Sequence, residues 1–152
     1  MYEKILVPLD GSAHAEAILP HVEKLAQGSK VDVVLLYVDD TADLMLERDE
    51  VADVKDFIEK RRQQVNAKEA YLQSIIDRWR EKGIAARMQI VHGSVVAGIM
   101  DCAAKEAVDL IAMASHGMGG MQRTFYGSST AGVLNCIDRP LLLIRSRFQQ
   151  GC

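Results

Sequence analysis

The chain has 152 residues, of which 49 % are hydrophobic and 26 % charged, a balance typical of one globular domain with a full core. Its net charge of −3 argues against bulk electrostatic binding to nucleic acid, and no apolar run is long enough to span a membrane. Its three cysteines, Cys102, Cys136 and Cys152, form no CxxC pair, and no secretory signal is evident. We therefore expect a reduced, cytoplasmic protein with neither a nucleic-acid partner nor a membrane partner, in which Cys102 and Cys136 are small core residues.

The first predicted strand covers residues 3–9 and is almost continuously apolar. Such a strand is expected in the centre of a sheet, covered on both faces. Asp10 or Ser12 then caps a helix predicted over residues 13–27, which Pro20 should kink. The buried face of this helix is predicted to consist of Ile18, Leu19, Val22 and Leu25.

A second apolar run at residues 31–38 predicts another buried strand. Residues 39–56 then carry eight acidic side chains and only two basic ones, Arg48 and Lys55. A carboxylate metal site or an acidic docking face is one interpretation of this segment. We favour a solvated and mobile segment that binds no metal by itself, since the spacing does not match a calcium loop.

The next helix is predicted over residues 54–82, with a polar first half that projects from the body. Its apolar stripe is Val65, Leu72, Ile75, Ile76 and Trp79. Residues 84–91 predict a strand near the sheet edge, with one face formed by Ala86, Met88 and Ile90. His92-Gly-Ser94 opens another helix, whose buried face is predicted to be Val96, Ile99, Met100 and Ala103.

The last part of the chain predicts a strand at residues 109–113, a glycine-rich loop, a helix at residues 128–137 and a final strand at residues 140–145. Five strands thus alternate with four helices, without an internal repeat. This alternation predicts an α/β fold: an open parallel sheet with helices on both faces and right-handed crossovers.

The glycine-rich loop connects a buried strand to a helix N-terminus, where backbone N–H groups and the helix dipole favour an anion. Gly117 and Gly127 permit close approach of a ligand to the backbone, and Ser128 and Ser129 add hydroxyl groups. The pattern is neither a Walker P-loop nor a dinucleotide G-x-G-x-x-G. The alternative is that the glycines only turn the chain.

Three segments resemble the universal stress protein family. Ser115-His116-Gly117, nine residues, then Gly127-Ser128 is similar to the nucleotide loop of its ATP-binding members, except that Ala114 replaces the first glycine of that pattern. Residues 4–12 and 139–145 also resemble this family. The resemblance implies a single domain at residues 1–147 with a short tail at 148–152. It also implies the strand order 3-2-1-4-5 of the adenine-nucleotide α-hydrolase-like fold.

The resemblance further implies that ATP, accompanied by Mg²⁺, binds where strands 1 and 4 diverge. Gly117, Gly127, Ser128 and Ser129 would cradle the phosphates, with Ser115 and His116 at the lip. Asp10 would contact the ribose, and the backbone of Val38 would read adenine. Apolar walls and further contacts would come from Pro8, Leu9, Ser12, Met113 and Ala114.

Three hypotheses about function follow, and in the first two the chain is a homodimer paired through residues 141–144. The first is an ATP-binding stress-response module, consistent with the local charge of +3 over residues 114–152. The second is an interaction module of the same fold without nucleotide, which the alanine at position 114 favours. The third is an enzyme, either a slow ATPase or a nucleotidyl transferase of the wider adenine-binding α/β superfamily. No residue qualifies as a catalytic base and the Walker lysine is missing, so we expect a binding protein rather than an enzyme.

Overall fold

The computed structural model describes residues 1–40, 54–115 and 128–146. Its strands are β1 (Lys4–Leu9), β2 (Asp32–Asp39), β3 (Ala85–His92), β4 (Leu110–Ala114) and β5 (Leu141–Ile144). Its helices are α1 (Ala13–Glu16), α2 (Leu19–Ala26), α3 (Val54–Glu81), α4 (Val95–Lys105) and α5 (Ser128–Cys136). The predicted tail at residues 148–152 lies outside the described residues, and so do residues 41–53 of the acidic segment.

The five strands form one parallel sheet in the order β3-β2-β1-β4-β5. This order confirms the α/β fold and the topology that the sequence predicts. β1 is central, as its continuous apolar run indicates, and Ile5, Leu6 and Val7 are fully buried. β3 and β5 are the edge strands. All residues of β5 are partly buried, and so are those of β3 except its two exposed end residues, Ala85 and His92.

The sheet separates two hydrophobic clusters, because successive side chains of a strand point to opposite faces. One cluster packs Ile5, Val7 and Leu9 of β1 against α1, α2 and the C-terminal half of α3. The other packs Leu6 of β1 against α4 and α5. Ala86, Met88 and Ile90 share the first cluster, which confirms the predicted face of β3.

The single helix predicted over residues 13–27 is wrong, because the chain forms two helices separated at Ala17 and Ile18. Pro20 lies in the first turn of α2, where its missing N–H has no helical partner to lose, and it therefore begins a helix rather than kinking one. The buried side chains nevertheless keep one helical phase across the break, and they are Ala15, Ile18, Leu19, Val22 and Ala26. Leu25 lies at the edge of this stripe and is 40 % exposed, so its prediction as a buried residue is wrong.

The remaining helices follow most of their predicted apolar stripes. In α3, Leu72, Ile75, Ile76 and Trp79 are buried, whereas residues 55–64 are all exposed. In α4, Ile99, Cys102 and Ala103 are buried. Val65 in α3 and the predicted face residues Val96 and Met100 in α4 are only half-buried. Cys136 is exposed at the C-terminal end of α5, so its prediction as a core residue is wrong. None of the helices in the described segments is long and apolar enough to cross a membrane.

Candidate functional site

The two central strands separate before they end. β1 pairs with β4 only at Ile5↔Leu110 and Leu6↔Ile111, although β1 continues to Leu9 and β4 to Ala114. The carbonyl of Lys4 accepts a hydrogen bond from Asp109 N at 3.0 Å, so alternate residues of β1, including Pro8, direct their backbone toward β4. Pro8 has no N–H to donate, which accounts for the end of the ladder. A crevice opens here, at the point where the strand order reverses.

The turn after β1 fixes Asp10 beside this crevice. Gly11 has a φ of 83°, and the chain reverses so that Asp10 Oδ1 accepts hydrogen bonds from Ser12 N at 2.9 Å and Ser12 Oγ at 2.5 Å. Ser12 Oγ in turn accepts from Ala15 N at 3.1 Å. Ser12 is therefore the N-cap of α1, and Asp10 orients its hydroxyl.

The backbone of Val38 faces the carboxyl end of β1. Asp32 N donates to Glu3 O on the β1 side of β2, and Asp39 O accepts from Gly93 N on the β3 side. Because the register is continuous between these residues, alternation directs the N–H and C=O of Val38 toward β1. The last residue of β1, Leu9, is level with Tyr37, so the Val38 carbonyl lies beyond the final rung.

The end of β4 carries a buried hydroxyl group. Met113 and Ala114 are buried, and Ser115 N donates to Ile144 O at 2.8 Å. Ser115 is 2 % exposed, and its Oγ has no hydrogen-bond partner within the described part of the chain. The side chain that directly follows β4 is therefore buried. Buried polar groups are normally satisfied, so this hydroxyl is a candidate for contact with a ligand.

The backbone conformation at position 114 does not require glycine. It is the last residue of β4 and pairs with Ile144, and Ala107 is the only non-glycine residue with a positive φ in the described segments. Its Cβ therefore introduces no backbone strain.

The helix after the loop begins where the sequence predicts. α5 starts at Ser128, Ser129 is half-buried and Thr130 is buried. Because β4 and β5 are parallel, the chain must return along α5, and this puts the N-terminus of α5 at the carboxyl edge of the sheet. His116, Gly117 and Gly127 lie outside the described residues, so their predicted contacts with phosphate stay predictions.

A polar cluster beside the crevice was missed at the sequence level. Asp39, the last residue of β2, is buried and lies 2.8 Å from Lys68 Nζ and 3.5 Å from His92 Nδ1. Lys68 Nζ also lies 5.0 Å from the centre of the Tyr37 ring, and the Tyr37 hydroxyl donates to Asp10 O at 3.4 Å. Burial raises the pKa of Tyr37, which favours its neutral, hydrogen-donating form.

Asp39 therefore does not belong to a solvated acidic segment, contrary to the sequence-based interpretation. It is an ion-paired strand end that joins β2 to α3. Only the register, in which Tyr37 is level with Leu9 and Asp39 with His92, brings these residues together. No local sequence pattern predicts these contacts.

A depression lies at the opposite, amino edge of the sheet, lined by residues 1–4, Lys30, Ala107 and Asp109. Asp109 accepts hydrogen bonds from Glu3 N at 2.8 Å and Lys4 N at 2.9 Å, and these bonds outweigh burial and lower its pKa. Ligands of parallel α/β sheets bind at the carboxyl edge, so we assign this amino-edge surface a structural role. Within the described segments, no group of three or more His, Cys, Asp or Glu side chains is placed to hold a metal ion.

The sequence model that describes the universal stress protein family matches residues 1–145 of this chain. The chain belongs to the universal stress protein family. Universal stress protein MJ0577 of Methanocaldococcus jannaschii is 28 % identical over 97 % of both chains. Universal stress protein Sll1388 of Synechocystis is 27 % identical over 95 % of this chain and 98 % of its own.

Solved structures of universal stress proteins share the fold. The structure of MJ0577 matches with a TM-score of 0.85 over 98 % of this chain and 99 % of the other, at 28 % identity. A universal stress protein solved in complex with cAMP matches with a TM-score of 0.66, over 96 % of this chain and 98 % of the other, at 17 % identity. The fold that this chain shares with these proteins covers nearly its whole length, including the part of the sheet where β1 and β4 separate.

Proposed function

We propose that this universal stress protein binds ATP, accompanied by Mg²⁺, in the crevice between β1 and β4. It would act in the cytoplasm as a homodimeric stress-response module and not as an enzyme. The observation that carries the proposal is the early end of the β1–β4 ladder at Leu6 and Ile111, which separates the strands beside Ser115. The Ser115 hydroxyl has no hydrogen-bond partner among the residues that the structure describes.

The adenosine end of the ligand would lie along β1 and β2. The Val38 carbonyl is directed to this side beyond the last rung of the ladder, so it can accept a hydrogen bond from the exocyclic amino group of adenine. Pro8, Leu9 and Met113 would supply apolar contacts, and the Asp10 carboxylate is held by Ser12 within reach of a ribose hydroxyl. The cAMP complex of a structurally similar universal stress protein supports an adenine nucleotide as the ligand class.

The phosphate end would lie at the N-terminus of α5. Backbone N–H groups at Ser128 and Ser129 have no helical acceptors, and the helix dipole favours anionic oxygens there. Gly117 and Gly127 would complete this cradle with His116, and the Ser115 hydroxyl would donate to an oxygen of the ligand. A magnesium ion bound with ATP would neutralise phosphate charge and be held mainly by the phosphates and water.

The dimer would form through β5. Leu141, Leu142, Leu143 and Ile144 are all half-buried on an edge strand, with Leu142 and Ile144 on one face of the sheet and Leu141 and Leu143 on the other. An apolar edge strand offers unpaired backbone groups to another chain, so pairing with a second copy would cover it.

A nucleotide-free interaction module is the second candidate, and the side chain of Ala114 is the observation that favours it. Its Cβ occupies space that glycine leaves open in the ATP-binding pattern of the family. Nucleotide retained after purification separates the two candidates. The protein is denatured, and the extract is analysed by ultraviolet absorbance and chromatography. Adenine nucleotide in near-stoichiometric amount supports the proposal; an extract without nucleotide, from protein that also binds none when it is added, favours the empty module.

A further inference from the structure

Two glycines bring α4 into close contact with both halves of the proposed nucleotide site. A Cβ added to Gly132 of α5 would lie 2.5 Å from Val96 Cγ2 in α4. A Cβ added to Gly98 of α4 would lie 3.0 Å from both γ-carbons of Val38 in β2. Because valine is stiff at χ1 in a helix, an added methyl group at position 132 must displace the packed helices.

The two contacts lie on opposite sides of α4. Val96 and Gly98 are two positions apart, so their side-chain directions differ by about 200° around the helix axis. Gly98 contacts Val38, whose backbone we propose reads adenine. Val96 contacts Gly132, about one helical turn after Ser128 and Ser129, where we propose that the phosphates bind. α4 is therefore wedged between the elements that bind the two ends of the ligand.

We infer that α4 is a spacer that sets the distance between the adenine end and the phosphate end of the site, with Gly98 and Gly132 as positioning residues. The inference rests on the proposed function and deepens it. An adenine nucleotide binds with full affinity only when the N-terminus of α5 lies at the correct distance from Val38. Gly132 thus controls the contribution of the phosphates, whereas Gly98 controls the position of the adenine contact.

The test compares the affinities for magnesium-ATP and adenosine by calorimetry. Gly132→Ala should weaken ATP binding about tenfold, because it shifts the N-terminus of α5 relative to the phosphates, and leave adenosine binding nearly unchanged. Val96→Ala in the Gly132→Ala background removes the γ-carbons that the new methyl group meets, and it should restore the ratio of the two affinities. Gly98→Ala should weaken both ligands by the same factor, because it displaces Val38.

The control is Asn135→Ala, an exposed position of α5 where alanine also raises helix propensity. It should leave both affinities unchanged. A Gly132→Ala variant that weakens ATP and adenosine equally, or that Val96→Ala does not rescue, overturns the spacer while leaving the nucleotide site intact. A wild-type protein that binds neither ligand overturns the proposed function and the spacer with it.

Val96→Ala alone gives a second route if Gly132→Ala does not fold. The gap that it leaves beside Gly132 loosens the packing of α5 against α4. It should lower the ratio of ATP affinity to adenosine affinity by a smaller factor than Gly132→Ala. An unchanged ratio in a folded Val96→Ala protein contradicts the inference.

Discussion

The Asp10 carboxylate accepts hydrogen bonds from both the backbone N–H and the hydroxyl of Ser12, at 2.9 and 2.5 Å. The same hydroxyl caps α1 by accepting from Ala15 N. The residue proposed to contact ribose is therefore also part of a helix cap. Folding and ligand binding must be measured together for any change at either position.

Ser12→Ala should lower the free energy of unfolding by about 1 kcal/mol, the usual cost of losing an N-cap. Urea denaturation of the wild type and the variant measures this difference. Asp10→Ala should destabilise the protein less, because Ser12 can still cap the helix, but it should weaken ATP binding more. A Ser12→Ala protein as stable as the wild type would show that the cap contributes nothing.

Glu23 joins α2 to α3 by accepting hydrogen bonds from Trp79 Nε1 at 2.6 Å and Lys82 Nζ at 2.8 Å. Trp79 is 1 % exposed, so Glu23→Ala leaves a buried N–H unpaired. This change should lower the free energy of unfolding by about 1–3 kcal/mol. Glu23→Gln keeps an acceptor for the indole and should cost less.

The same residue makes stability depend on pH. The hydrogen bond from Lys82 lowers the pKa of Glu23, although burial opposes this shift. A lowered folded-state pKa means that the stabilisation is present above the unfolded value of about 4.3 and is lost as the pH falls through the folded value. Glu23→Gln should therefore lose less stability between pH 7 and pH 3 than the wild type. Glu59→Gln, at an exposed position of α3, is the control and should keep the wild-type pH profile.

Lys68 and Asp39 form an ion pair with side-chain exposures of 17 % and 6 %. Lys68→Met removes the cation and leaves a buried carboxylate that keeps His92 as a neighbour, which should lower the free energy of unfolding by about 1–3 kcal/mol. Asp39→Asn in the Lys68→Met background removes the buried charge and should recover part of this loss. Lys60→Met, at an exposed position of the same helix, should change stability little. A Lys68→Met protein as stable as the Lys60→Met control would contradict this role of the pair.

The elements of the fold were largely predictable, because they follow from local patterns. The continuous apolar run of β1 predicts its central place, and the apolar stripe of α3 identifies Leu72, Ile75 and Trp79 as core residues. The break before α2 was not predictable from periodicity, because one helix kinked at Pro20 and two separate helices share nearly the same apolar pattern. The choice depends on how the two pieces pack against the sheet.

The candidate site was predictable only in part. Its backbone elements follow from strand order, so the sequence and the family resemblance bring Asp10, Val38 and Ser115 to one edge. The pairs Glu23–Trp79 and Asp39–Lys68 join residues from different elements, and their contacts depend on register and helix rotation. The burial of Ser115 was likewise missed, because a serine after a strand is as compatible with a surface turn as with a crevice wall.

The proposed dimer is tested by introducing charge on β5. Leu142→Lys or Leu143→Lys, whichever side chain faces the partner, should give monomers or a precipitate, because a lysine ammonium group is costly to bury. Light scattering at micromolar concentration measures the mass. Leu25→Lys makes the same exchange at an exposed position of α2 and should leave the dimer intact. A wild-type protein of monomer mass would contradict the dimer itself.

Calorimetry with magnesium-ATP tests the central claim most directly, using the wild type, Ser129→Ala and Gly127→Asp. The wild type should bind, and Ser129→Ala should lose only about 1 kcal/mol because the backbone N–H groups remain. Gly127→Asp should abolish binding, since it adds a side chain and a like charge where the phosphates approach. Equal binding by the wild type and Gly127→Asp would contradict the proposed site, and a wild type that releases no heat and retains no nucleotide would contradict ATP binding altogether.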